Sequence, residues 1–179
     1  CGSGTLVIEA AYLALGKAPL IHRGKDEFAL EHLAGFDRAT WRRVGDKARA
    51  AKRQAPAAPL FARDVRDAFV EVARQASLKA RVERYLTFGV GRFQDLPAPE
   101  CAPGLVVANL PYGERIGRGE LQALCRDVGR TLRERYAGWR AALLVPAETP
   151  RDAFGMVPER SHALLNGALN VRLDVFGRR

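Results

Sequence analysis

The sequence predicts an open α/β fold, a doubly wound sheet that ends in an antiparallel hairpin. Short apolar runs of strand character alternate with stretches of helical spacing, the pattern of parallel strands joined by helices. Glycines and polar residues stand directly after several of these runs, at the sheet edge where open α/β folds bind ligands. Near the end, Asn166-Gly167 separates two apolar runs, a strong short-range hairpin signal.

The chain opens on "CGSGTLVIEAAYLAL", a glycine turn that runs straight into a helix pattern. From Thr5 to Leu15 the apolar residues Leu6, Ile8, Tyr12, Leu13 and Leu15 alternate with alanine, and Gly16 supplies the stop. Residues 17–37 read as irregular. A second helix is expected from Asp37 to Gln54, with Asp37 or Thr40 near its start, and "APAAP" breaks it. Its tail carries Arg42, Arg43, Lys47, Arg49, Lys52 and Arg53. Leu60, Phe61 and Ala62 form a short strand that ends at Arg63-Asp64. The helix that follows shows Phe69, Val70, Val72 and Ala73 at helical spacing. Alternation through Tyr85–Val90 indicates a strand, and the run "LVVA" (105–108) a buried parallel strand that stops at Asn109. Leu121, Leu124, Val128 and Leu132 mark an amphipathic helix, and "WRAALLVP" another buried strand.

Bulk properties narrow the function. With 47% hydrophobic residues, a chain of this length can bury a substantial core. No stretch of about 18 apolar residues is present, so no membrane span is expected. The three cysteines (Cys1, Cys101, Cys125) are odd in number and lack metal-type spacing, which favours a reduced, cytoplasmic setting. The three histidines are scattered, and no metal site is expected. Lys and Arg number 29 against 20 Asp and Glu, a net charge of +9 that favours a polyanionic partner. A basic helix face that is merely solvated is the alternative for the tail between residues 42 and 53.

Chemistry gathers at three strand ends: the turn Gly2, Ser3, Gly4 and Thr5, then Asp64, then Asn109. The glycines allow close approach of backbone to a ligand, and the helix start behind them favours an anionic group. An ionised acid such as Asp64 can accept from two ribose hydroxyls. In "NLPYGER" (109–115) the Asn109 amide oxygen and the Leu110 carbonyl can accept both hydrogens of an exocyclic amine. Pro111 stiffens the turn, and Tyr112 can stack on the ring that bears the amine. An ordinary strand-closing turn is the alternative for this tetrapeptide alone.

"CGSGT" followed by "NLPYGER" resembles the amino-group branch of class I S-adenosylmethionine-dependent methyltransferases. Further segments ("GTLVIEAA", "APLIHR…GFDRATW", "YGERIG", "LLNGALNVRL") make the chain similar to the THUMP-associated ribosomal RNA guanine-N2 methyltransferases, over essentially its whole length. The resemblance implies a Rossmann-like methyltransferase sheet with a C-terminal antiparallel hairpin. Residues 1–179 would form one catalytic domain, with a family insertion at about 17–57. It implies that the first strand and the RNA-binding THUMP domain precede Cys1, so this chain is expected to be a fragment, unstable and inactive alone. Gly2, Ser3, Gly4, Thr5 and Asp64 would bind S-adenosylmethionine, with Asn109 touching it too. Asn109, Leu110, Pro111 and Tyr112 would hold a guanine of large-subunit ribosomal RNA, and the basic tail would meet its phosphates. The activity implied is in-line methyl transfer to the guanine N2 amine, without metal. Arg66 replaces an acid two residues after Asp64; Arg92 stands where an acid follows the third strand, with Asp95 three residues later; Leu110 replaces a frequent proline. These departures keep a degenerate RNA-binding domain as an alternative, and the shared motif keeps a DNA adenine amino-methyltransferase as another.

Overall fold

The computed structural model describes residues 1–21, 23–24, 27–111 and 117–177. Four α-helices and six strands follow in the expected order. They are α1 (Thr5–Leu15), α2 (Arg38–Ala50), β1 (Leu60–Asp64), α3 (Asp67–Lys79), β2 (Leu86–Val90), β3 (Leu105–Asn109), α4 (Arg118–Arg135), β4 (Arg140–Pro146), β5 (Arg160–Asn166) and β6 (Leu169–Phe176). Two sheets result: β1-β2, and a four-stranded sheet of order β3-β4-β6-β5. In the second, β3 and β4 are parallel, while β4-β6 and β6-β5 are antiparallel. The chain divides into two compact units. The first comprises Cys1, Arg63–Arg66 and Val90–Arg179; the second comprises Gly2–Ala62 and Asp67–Gly89.

The first unit is built on β4. Its alternate residues Ala141, Leu143 and Val145 are buried in one cluster with Cys125, Val128 and Leu132 of α4, and with Tyr136, Phe154 and Phe176. Period two on the strand meets the i, i+3, i+7 stripe of the helix, so each apolar side chain finds a partner. Phe154 and Phe176 meet edge to face at 5.5 Å, and Phe93 stacks on Tyr136 at 5.1 Å. Asp174 of β6 is fully buried, and Arg172 binds it in fork geometry, with Nε on Oδ1 at 2.8 Å and Nη2 on Oδ2 at 2.9 Å. The Ser161 hydroxyl donates to Oδ1 at 2.7 Å, and Arg172 also donates to the Ala147 and Thr149 carbonyls. This network pins the loop that leaves β4.

The hairpin turn differs from the simple Asn-Gly reading. Asn166 pairs with Leu169, so Asn166 belongs to the strand and Gly167 is the first central residue of a two-residue loop, at φ +62°. That is where a type II′ turn requires glycine. The strand 105–109 also departs from expectation. It is parallel to β4, but Leu105 and Val107 are 53% and 48% exposed, and only Val106 and Ala108 pack on the core. Among the described residues β3 is an edge strand, with β4 as its one ladder partner, and separately only one of its two faces is covered by the core.

In the second unit, Ala11 and Leu15 of α1 are buried with Val82, flanked by Ile8, Tyr12, Leu60, Tyr85 and Leu86. The buried stripe runs through positions 8, 11, 12 and 15, which leaves Leu13 81% exposed although it reads as part of the apolar pattern. Gly16 ends α1 at φ +57°, its N–H donating to Leu13, and a Cβ there would lie 2.6 Å from the Ala51 carbonyl oxygen. Asp37 is the N-cap of α2: its carboxylate accepts from Ala39 N–H at 2.9 Å and Thr40 N–H at 3.1 Å. A hydrogen bond from the Thr40 side chain first, then those from the Thr40 and Ala39 N–H groups, hold its pKa below the ordinary carboxylate value. The helix stops at Ala50, short of Gln54, so Lys52 and Arg53 lie beyond it. In α3 the buried residues are Val70, Ala73 and Ser77, and Val72 is exposed. No described helix is long and apolar enough to cross a membrane.

Candidate active site

The glycine turn belongs to the second unit. Gly2 (φ +54°) and Gly4 (φ +86°) both take left-handed backbone, and Gly4 is the N-cap of α1. A Cβ on Gly4 would stand 3.0 Å from both Cα and Cβ of Ala73, so helix α3 closes one side of the turn. A Cβ on Gly2 would meet nothing within 4 Å, so the other side is open. No side chain caps the first turn of α1, and no acid occupies it. Among the described residues its N–H groups thus have no capping side chain, and can serve an external acceptor. The Ser3 and Thr5 hydroxyls lie 3.1 Å apart.

Asp64 closes β1, in the first unit. Its Oδ1 accepts from the Arg66 backbone N–H at 3.1 Å and its Oδ2 from the Cys1 amino nitrogen at 2.9 Å. The first of these makes an Asx-type turn that fixes the carboxylate at the strand end. The Asp64 carbonyl accepts from Gly91 N–H at 2.8 Å, and the Cys1 nitrogen also reaches the Arg63 carbonyl at 2.6 Å. Arg92 sits with its Nε 4.0 Å from Asp95, an exposed pair of small energetic weight.

Asn109 closes β3 in the same unit. Its side chain is exposed and makes no hydrogen bond among the described residues. Leu110 buries its side chain in the core and donates its N–H to the Leu144 carbonyl at 3.2 Å. In a parallel ladder with Asn109 opposite Leu144, the Leu110 carbonyl should accept from the N–H of residue 146. That residue is Pro146, which has no N–H. The Leu110 carbonyl is therefore left without a ladder donor for a covalent reason. Two acceptors in succession, one amide oxygen and one backbone carbonyl, stand at the strand end. Pro111 follows half-buried, and Tyr112 lies outside the described residues.

The six basic residues between 42 and 53 are all exposed. Arg43 donates to the Thr40 hydroxyl at 3.3 Å, Arg49 pairs with Asp46 at 2.9 Å, and Arg53 donates its backbone N–H to the Leu15 carbonyl at 2.7 Å. Among the sequence-expected residues, Asp64, Asn109, Leu110 and Pro111 share the first unit, while the glycine turn and the basic residues belong to the second. Sequence reasoning missed Pro146. The "LLVP" ending is visible in the sequence, but its meaning depends on the β3-β4 register.

The profile of the UPF0020 family, the RMKL-like methyltransferase domain, matches residues 1–174. The chain belongs to this family. Relatives similar to it include ribosomal RNA large subunit methyltransferase K/L of Chromohalobacter salexigens, 32% identical, with 97% of this chain and 24% of the relative covered. The enzyme of the same name from Legionella pneumophila (strain Corby) is 34% identical over the same shares. The chain thus spans about a quarter of the length of these curated relatives. Among solved structures it is similar to SMU.472, assigned as a methyltransferase and crystallised with SAH. The TM-score is 0.87 at 28% identity, covering all of this chain and 46% of that one. The fold is accordingly class I methyltransferase-like, with the antiparallel β5-β6 hairpin at its C-terminal end. Within the first unit, Asp64 ends β1 and Asn109 ends β3.

Proposed function

We propose that this domain transfers a methyl group from S-adenosylmethionine to the exocyclic N2 amine of a guanine in large-subunit ribosomal RNA. The observation that carries the reading is the pair of acceptors at the end of β3: the Asn109 amide, without a hydrogen bond among the described residues, and the Leu110 carbonyl that Pro146 cannot engage. The residues present suit the cofactor. The turn at Gly2–Gly4 is open on one side, the first turn of α1 is uncapped, and the Asp64 carboxylate is held in place for a ribose diol.

S-adenosylmethionine, when bound, supplies an electrophilic methyl group on a sulfonium. The amine's lone pair is delocalised into the guanine ring, which makes it a weak nucleophile. Asn109 Oδ1 and the Leu110 carbonyl, each accepting one amine hydrogen, favour a pyramidal nitrogen with its lone pair directed away from the ring. Tyr112 stacks on the base and Pro111 keeps the two acceptors in register. Such positioning is worth up to about 7–11 kcal/mol in well-oriented systems. Large-subunit rRNA as substrate, a cytoplasmic setting, and a strand upstream of Cys1 that occupies the open edge of β3 complete the reading. The position of β3 at the end of its sheet, with β4 alone as described ladder partner, leaves an edge for such a strand.

The test gives the full-length protein labelled S-adenosylmethionine and unmodified large-subunit rRNA, and identifies the digested nucleosides. N2-methylguanosine that disappears with Asn109→Ala is the expected outcome. N6-methyladenosine would shift the substrate to adenine, which offers the same pair of amine hydrogens. RNA binding without any transfer would leave a non-catalytic domain.

A further inference from the structure

The second unit holds a cleft that the proposed chemistry does not use. It has a volume of about 430 Å³ and is lined by Arg49, Lys52, Arg53, Gln54, Arg84 and Tyr85, four cations and no carboxylate. Helix α2 and the segment after it supply three of the cations. The fourth comes from the 3₁₀ turn Glu83–Tyr85 that enters β2. Tyr85 ties the two sides together: its hydroxyl donates to the Gln54 carbonyl at 2.8 Å and accepts from Arg84 Nη2 at 2.5 Å. The Arg84 guanidinium carbon lies 4.7 Å from the Tyr85 ring centroid, so the ring and its hydroxyl hold the fork in place.

Two acids stand beside these cations in the sequence, and only one of them pairs with a cation of the cleft. Glu83 pairs outside the cleft, with Arg74 at 3.4 Å, while Asp46 pairs with the cleft's Arg49 at 2.9 Å, which leaves Lys52, Arg53 and Arg84 without an ion pair among the described residues. Lys52 and Arg81 have no ion pair among the described residues. Their field is felt at the neighbouring Lys17, whose ammonium is buried against the Ala80 carbonyl (2.5 Å) and the Tyr12 ring. Burial first, then repulsion from Lys52 and Arg81, depresses the Lys17 pKa. Uncompensated positive charge is thus concentrated on this side of the unit, where a bound polyanion would relieve it.

We propose that this cleft is a phosphodiester-binding subsite for the RNA backbone, with Arg84 and Lys52 as its principal donors and Tyr85 as the residue that positions Arg84. A fixed guanidinium fork beside flexible ammonium and guanidinium groups suits a phosphate's tetrahedral oxygens. The inference rests on RNA being the substrate class proposed above, and adds to the helix tail two residues, Arg84 and Tyr85, that its basic composition does not reveal.

The experiment measures binding of an in vitro transcript of the substrate rRNA to the full-length protein by fluorescence anisotropy, across about 50–200 mM salt. Lys52→Gln and Arg84→Gln should each lower the slope of log affinity against log salt by about 0.7–0.9, or about four- to five-fold in affinity near 0.15 M. The double variant should lose about twice the single-variant slope. Thermal melting checks that these exposed substitutions leave the fold intact. Arg126→Gln, an exposed cation of α4 outside the cleft, should leave the slope unchanged. Unchanged slopes for the cleft variants, with the RNA still bound and methylated by the unsubstituted protein, overturn the subsite and leave the proposed reaction standing. An equal loss with Arg126→Gln also overturns it, since binding is then a diffuse surface effect. Reduced slopes confined to the cleft variants, in a protein that transfers no methyl group, would keep the subsite and remove the reaction.

Discussion

Pro146→Ala restores one backbone N–H at the ladder position where β4 faces the Leu110 carbonyl. The register places Asn109 opposite Leu144, and the preceding bond, Leu110 N–H to Leu144 O at 3.2 Å, shows the ladder still in line there. The new N–H should capture the Leu110 carbonyl and compete with the substrate amine. A backbone hydrogen bond contributes a net of about 0.5–1.5 kcal/mol. If that contribution is lost when the amine binds, kcat/KM falls roughly 2- to 13-fold by the same range. Global stability should move little, because the added bond offsets the roughly 0.4–1 kcal/mol that proline contributes through the unfolded chain. Methyl transfer to the rRNA transcript, measured under subsaturating RNA, gives the rate. Amide exchange at residue 146 reports whether the bond forms. Pro146→Val, which brings the same N–H with a different side chain, should show the same loss. A protected residue-146 amide with an unchanged rate would refute the role of the Leu110 carbonyl. An unprotected amide would refute the ladder argument itself.

Other expectations follow from single contacts. Asp174→Ala leaves the largely buried Arg172 guanidinium (12% exposed) without its carboxylate and should cost about 3–5 kcal/mol in a denaturant titration, whereas an apolar double replacement of Arg172 and Asp174 should recover most of it. Cys125 is fully buried in the core, and burial pushes its thiol pKa up to about 11. Its native pKa exceeds the unfolded value of about 8.5, so the native state keeps a proton that the unfolded state releases. Stability should therefore be intact below about pH 8.5 and decline as pH rises toward 11, a slope that Cys125→Ala removes after allowance for its lower baseline. A thiol reagent at neutral pH should label Cys1 and Cys101 before Cys125.

Local chemistry made much of this molecule legible in the sequence. The glycine turn, Gly16 as a helix stop and Asp37 as an N-cap follow from backbone freedom and hydrogen-bonding capacity, which are properties of single residues. The order of helices and strands follows from periods of 3.6 and 2, which a one-dimensional reading can detect. That Asp64 and Asn109 end strands was legible because each polar residue closes a short apolar run. Other properties are relations between segments far apart in the chain. The exposure of Leu105 and Val107 depends on which face of β3 the core covers, and that of Leu13 on which side of α1 meets Val82. The Gly167 turn type depends on Asn166 pairing with Leu169. Pro146 acquires a consequence for Leu110 only through a register that aligns residues 109 and 144, and Arg84 meets the tail of α2 only through Tyr85 and Gln54. Residue type and spacing determined which groups this protein can offer; pairing and packing decided which of them are left free, because a donor or acceptor is available only when no neighbour in space has already taken it.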